Sequence, residues 1–176
     1  MPGLDESRPF HPVAFAIVIV SDTRTPDTDK SGDTLAARIE GAGHTVAART
    51  IVRDDPEEIR AAVIDGVGHA GVDVVITSGG TGFTGRDVTP ETVEPLFVKR
   101  MEGFSALFHA ISAEKIGTST MQSRATAGLI DTTFVFVLPG SPGACRDAWD
   151  HILLQQFDYR FRPCNFVEIM PRLAER

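Results

Sequence analysis

Val72-Asp73-Val74-Val75-Ile76-Thr77 runs directly into Ser78-Gly79-Gly80-Thr81-Gly82. An apolar, β-branched run that breaks on consecutive glycines reads as a buried strand followed by a tight turn. The pattern recurs downstream, where Thr133-Phe134-Val135-Phe136-Val137-Leu138 leads into Pro139-Gly140-Ser141-Pro142-Gly143. In an open α/β sheet such turns sit at the carboxyl ends of parallel strands, where ligands bind. Glycine lets the backbone approach a ligand closely, and the N–H groups of such turns suit an anion. The two turns together predict a sheet that binds a phosphorylated or otherwise anionic small molecule.

The segments around these turns alternate between strand and helix. Val13 to Val20 is a continuous apolar run, as expected of a strand covered on both faces. A helix is predicted from about Gly32 to Glu40, ended by Gly41 and Gly43. Val46 to Val52 reads as a second strand. Asp55-Pro56-Glu57-Glu58 then opens a helix with a capping Asp, an early Pro and a Glu three residues after the cap. Thr89-Pro90-Glu91 predicts another helix start by the same logic. Phe104, Leu107, Phe108 and Ile111 have the spacing of one helical face. Thr118 to Gly128 shows no periodicity. A last helix is predicted from about Ala144 to Phe157, with Cys145, Trp149, Ile152 and Leu153 inward. These elements predict a single-domain, doubly wound, mainly parallel α/β sheet with helices on both faces.

The 176 residues, 42% of them hydrophobic, suffice for one domain with a full core. We expect a flexible N-terminal arm over 1–12 and the α/β domain over 13–160. A C-terminal extension over 161–176 would pack on the domain or on a neighbouring subunit. The net charge of −7 argues against nucleic acid and against an anionic membrane surface, both of which demand clustered cations. No apolar run reaches the roughly 18 residues of a membrane helix. The first twelve residues carry no signal-peptide pattern, so a cytoplasmic protein is expected. Cys145 and Cys164 have no metal-ligand spacing, and the five histidines are scattered.

Several polar residues cluster at predicted strand ends. The glycine stretch is neither a Walker A loop nor a dinucleotide fingerprint. Thr84, Arg86 and Asp87 lie just beyond it, however, and a hydroxyl, a cation and a carboxylate in that place suit phosphate and Mg²⁺ handling. Asp55 has a capping role, whereas Asp54 has none and is the better candidate for a metal or a polarising role. Ser21-Asp22-Thr23 follows the first strand and lines the same crevice or simply forms a turn. Ser31 and Gly32 sit at a helix start, where backbone donors favour an anion or simple capping. Ser141 is not in a nucleophile elbow, which argues against a hydrolase. Ser123 and Arg124 face the site or solvent.

Taken together, Val20 to Arg24, Asp29 to Gly32, Ser78 to Pro90, Gly117 to Gly128, Pro139 to Ser141 and Arg162 to Phe166 resemble the molybdenum cofactor biosynthesis protein B family. That family is related to molybdopterin adenylyltransferases and to the gephyrin-type molybdopterin-binding domain. The resemblance implies a trimer or hexamer that binds molybdopterin, a pterin carrying a dithiolene and a phosphate. It implies adenylylation of that phosphate with Mg²⁺ and ATP. Asp54 and Asp87 match the critical acidic positions and are the expected catalytic and metal residues. Thr81, Ser123, Gly140 and Ser141 match positions lining the ligand crevice. Ser21, Asp22, Ser31, Gly32, Ser78, Gly79, Gly80, Gly82, Thr84, Arg86, Arg124 and Pro139 complete the expected binding set. The alternative is a non-catalytic molybdopterin carrier or scaffold in the same pathway. An unrelated nucleotide-binding domain, which would bind ATP and no pterin, is the third reading.

Overall fold

Phe15, Ile17 and Ile19 pack into one apolar cluster, and Ala16, Val18 and Val20 into a second. Successive strand residues point to opposite faces, so this strand separates two helical layers. The computed structural model describes residues 2–175. In chain order it contains β1 (Gly3–Leu4), β2 (Ala14–Val20), α1 (Lys30–Gly41), β3 (Thr45–Val52), α2 (Pro56–Gly68), β4 (Val74–Ser78) and α3 (Thr89–Val93). There follow β5 (Lys99–Arg100), α4 (Glu102–Ile116), β6 (Thr126–Ile130), β7 (Thr133–Leu138), α5 (Pro142–Ala148), α6 (Leu154–Gln156), β8 (Phe161–Arg162) and α7 (Phe166–Ile169).

The main sheet has the order β3-β2-β4-β7-β6-β5. β3, β2, β4 and β7 are parallel, and β6 and β5 add antiparallel strands at one edge. The doubly wound, mainly parallel single domain is therefore the observed architecture. The first cluster lies under α1, α4 and α5, with Leu35, Phe108, Phe136, Trp149 and Phe157 fully buried. The second lies under α2, with Ile59 and Val63 against Val75 and Val135. Each buried aliphatic side chain contributes roughly 1.5–3 kcal/mol.

Local signals behave as their chemistry dictates, with four exceptions. Asp55 caps α2, accepting from the N–H groups of Glu57 and Glu58. α1 starts at Lys30 rather than Gly32, because the Asp29 carboxylate caps it through the Gly32 N–H at 2.8 Å. Thr89 does not cap α3: Val88 holds the cap position without a side-chain bond. Leu107 departs from its predicted face and is exposed, while Phe104 and Phe108 are core. The helix predicted over 144–157 widens into a π turn over Trp149–Leu153, which still sends Trp149, Ile152 and Leu153 inward. The unplaced 118–128 stretch is a 3₁₀ turn over Gly117–Gln122 followed by β6.

Both terminal segments touch the domain. Gly3 and Leu4 pair antiparallel with Arg162 and Phe161. Phe166, Val167, Met170 and Leu173 pack against the first core cluster of the same chain.

Candidate functional site

Four strand ends supply one polar cleft. β2 leads into Ser21, β3 into the loop that carries Asp54, β4 into the first glycine turn and β7 into the second. The cleft encloses about 510 Å³ and is lined mostly by polar atoms. Of the predicted residues, Ser21, Ser31, Asp54, Ser78, Gly79, Gly80, Thr81, Gly82, Asp87, Ser123, Pro139, Gly140 and Ser141 line it. Asp22, Gly32, Thr84, Arg86 and Arg124 do not, and each has a specific structural partner.

The glycine turn is tightly determined. Gly79 has φ 118° and Gly80 φ 64°, both in the left-handed region. A Cβ on Gly79 would run into the Val20 carbonyl, and one on Gly80 into the Thr89 hydroxyl and towards Asp54 Oδ1. The two glycine turns touch: a Cβ on Gly140 would lie 3.2 Å from Gly79 Cα. The Thr89 hydroxyl is buried and has no hydrogen-bond partner among the described residues.

The two acidic candidates differ electrostatically. Asp54 Oδ2 accepts from the Asp22 N–H at 3.1 Å, and among the described residues Oδ1 accepts nothing. Burial, reinforced by the Asp22 and Asp87 charges, raises its pKa above the ordinary carboxylate range. For Asp87, burial pushes the pKa up but is outweighed by hydrogen bonds from the Thr84 hydroxyl and amide and from the Gly82 amide, with Arg124 adding to the effect. The net pKa is low, and the Thr84 bonds are 2.6 and 2.8 Å. Asp87 is thus held ionised, with Asp54 near enough to feel its charge.

The five residues outside the cleft hold its walls. Arg86 grips Asp22 through both oxygens at 2.7–3.0 Å, tying the glycine loop to the loop after β2. Thr84 locks Asp87. Gly32 spends its N–H on Asp29, so the start of α1 is filled by the protein's own carboxylate rather than left open to an anion. Arg124 lies behind the glycine loop: its guanidinium donates to the carbonyls of Thr81, Gly82 and Asp87 at 3.2, 2.9 and 2.9 Å, and pairs with Glu91.

Thr23 lines the cleft, as one reading of Ser21-Asp22-Thr23 expects; Arg24, Asp29 and Gln122 line it too, although the sequence does not single them out. Asp29 is 1% exposed, with its carboxylate on Arg49 at 2.6 Å. Arg24 and Asp29 lie in the stretches that carry the family resemblance, and Gln122 adjoins the predicted Ser123. Cys145 is buried against the Ser78 hydroxyl at 3.3 Å, and burial pushes its thiol up to about 11, so it is an inert core group.

A divalent cation fits the donors present. Asp54 and Asp87 offer hard oxygen ligands, and Asp54 has an oxygen to spare. Among the described residues no group of three or more His, Cys, Asp or Glu side chains gathers. Mg²⁺ would need no such group, since it takes one or two carboxylates and completes its shell with substrate phosphate and water.

Residues 16–159 match the family described as a probable molybdopterin binding domain. Molybdenum cofactor biosynthesis protein B of Escherichia coli K12 is 45% identical over 160 residues, covering 91% of this chain and 94% of that protein. The Bacillus anthracis protein of the same name is 49% identical over 148 residues, 84% of this chain and 88% of its own length. A crystal structure of a molybdenum cofactor biosynthesis protein B superimposes with a TM-score of 0.86 at 42% identity, over 96% of this chain and 100% of the other. A tungsten cofactor synthesizing protein from Pyrococcus furiosus superimposes with a TM-score of 0.77 at 32% identity, covering 93% and 98%.

Proposed function

The chain belongs to the molybdopterin-binding family of molybdenum cofactor biosynthesis B proteins, and from that premise we propose that it adenylylates molybdopterin using Mg-ATP. One observation carries this reading: two carboxylates from separate loops, Asp54 and Asp87, share one polar cleft with two glycine turns. A site that only held a pterin phosphate would gain nothing from two acidic groups beside it, because they repel phosphate.

The glycine turns would present N–H groups to the phosphates of both substrates. Ser123 and Ser141 would add hydroxyl donors around them, while Ser31 donates its hydroxyl to the Gly140 carbonyl at 3.0 Å and braces the second turn. A phosphate oxygen of molybdopterin attacks the α-phosphorus of ATP, a P–O bond forms, and the bond to the leaving pyrophosphate breaks. The attacking phosphate is already ionised, so no general base is needed. Mg²⁺ held by Asp54 and Asp87 would offset the negative charge that builds on the phosphate oxygens. Arg124 would keep the loop carbonyls turned away from the cleft, leaving its N–H side to the substrates. Catalysis then consists of positioning and charge stabilisation.

Among the described residues no helix is long and apolar enough to cross a membrane. The proposed setting is the cytoplasm, with copies assembled as trimers or hexamers. Phe104 and Phe108 are core, so an interface would draw instead on exposed apolar residues such as Phe83, Val98 and Leu107. Light scattering on purified protein tests that part. The activity is tested by incubating protein, Mg²⁺, ATP and fresh molybdopterin, then seeking adenylylated pterin by mass. Product together with pyrophosphate supports the enzyme; saturable pterin binding without product makes the protein a carrier.

A further inference from the structure

A second cleft of about 610 Å³ opens beside the first. The two share Ser21 and Arg24, so the loop after β2 is their common wall. The second cleft differs in character. Its floor is Thr50, Ile51 and Val52 of β3, and its lining is mainly apolar.

β3 ends the sheet order and among the described residues pairs only with β2, so half of its backbone groups have no strand there to bond. Their direction follows from two bonds. The Ser21 N–H donates to the Val52 carbonyl at 2.8 Å, so Val52 turns its groups inward, toward β2. Backbone direction alternates along a strand, so Ile51 and Arg53 turn theirs outward. Arg53 bears this out: its N–H goes to the Glu58 carboxylate at 3.1 Å. The N–H and C=O of Ile51 remain, side by side on the cleft floor. Arg24 stands between the clefts and makes no ion pair among the described residues; its guanidinium bonds only the Thr28 carbonyl, at 3.0 Å.

We infer that this side cleft seats a flat nitrogen heterocycle, edge-on to β3, whose adjacent ring donor and acceptor pair with the C=O and N–H of Ile51. The attached phosphates would pass Arg24 into the polar cleft. The adenine of ATP and the pterin ring share this chemistry. The inference rests on the adenylyl-transfer reading and names where one of its two rings lies.

The test compares each ring-bearing ligand with its bare phosphate by titration calorimetry. ATP is set against inorganic tripolyphosphate, and 6-hydroxymethylpterin phosphate against inorganic phosphate. Two variants are used. Ile51→Pro removes the outward N–H, a change an edge strand tolerates. Thr50→Trp fills the cleft from an exposed position on its lining. Circular dichroism confirms that each folds. The expected result is a roughly tenfold loss of affinity for one ring-bearing ligand in both variants, with its bare phosphate unchanged. Loss confined to the ATP arm assigns the ring as adenine; loss confined to the pterin arm assigns it as pterin. Unchanged affinity in both arms, or equal loss for ring and bare phosphate, overturns the inference while leaving the function intact. Wild-type protein that binds neither ring-bearing ligand nor the bare phosphates refutes the functional reading itself.

Discussion

Asp22 and Asp54 exchange backbone bonds across two strand ends: the Asp22 N–H donates to Asp54 Oδ2 at 3.1 Å, and the Asp54 N–H to Asp22 Oδ1 at 3.2 Å. The exchange brings two carboxylates together, and among the described residues the Arg86 guanidinium bonds Asp22 directly while it reaches Asp54 through its charge alone. Asp54 keeps a charge that the folded state disfavours.

For a carboxyl whose folded pKa is raised, the stabilising balance holds below the ordinary range near pH 4 and is lost as pH rises through the raised value. At neutral pH the Asp54 charge therefore costs stability. Asp54→Asn keeps an acceptor for the Asp22 N–H and removes the charge. Its melting temperature at pH 7 should rise by on the order of 2 °C while turnover falls steeply. A melting temperature below wild type at pH 7 would contradict the electrostatic assignment.

The glycine turn makes a prediction about shape. Gly79→Ala puts a Cβ against the Val20 carbonyl at φ 118°, and should cost roughly 3 kcal/mol or more. Gly85 has open space where its Cβ would stand, so Gly85→Ala should change stability by less than about 0.5 kcal/mol. Urea unfolding of the pair measures the difference.

Arg124 serves three carbonyls in a planar fork that lysine cannot reproduce. Arg124→Lys should destabilise by about 1–3 kcal/mol and lower kcat more than it raises KM, since the substitution displaces the loop and removes no bond to a ligand. A variant with wild-type kcat would show that Arg124 does not position the loop.

His44 is 4% exposed and packs among Phe10, Phe15 and Trp149. Its Nδ1 accepts from the Val13 N–H at 3.1 Å, so protonation there breaks the bond at the head of β2. Burial lowers its pKa, partly opposed by the Asp158 charge. A depressed histidine contributes stability above the ordinary value near 6.5 and loses it as pH falls below. His44→Gln, which keeps an acceptor, should lower stability at pH 8 and flatten its fall between about pH 7 and 5. An unchanged slope would place the acid sensitivity elsewhere.

Much of the fold was legible because its signals are local. β7 ends where its apolar run ends, and Asp55 caps as its spacing predicts. Local chemistry failed where tertiary contacts decide. Thr89 looks like a cap, but its hydroxyl is drawn beneath Gly80. Leu107 keeps helical spacing, yet the body of the domain covers only the Phe104 and Phe108 side of α4. The cleft was legible for the residues at strand ends. Arg124 and Gly32 were not, because a cation or a free N–H in sequence does not reveal the carbonyl or carboxylate that already occupies it. The side cleft at β3 left no motif at all, since it is made of backbone groups.

The most direct test is a single-turnover assay of wild type against Asp87→Asn with Mg²⁺, ATP and fresh molybdopterin. Asp87 accepts from Thr84, and Asn retains an acceptor, so the variant should fold. Wild type should yield adenylylated pterin, and the variant should lose roughly 100-fold or more in rate with pterin binding largely kept. Equal product from a well-folded Asp87→Asn protein, or none from wild type that binds the pterin, would contradict the adenylyl-transfer reading.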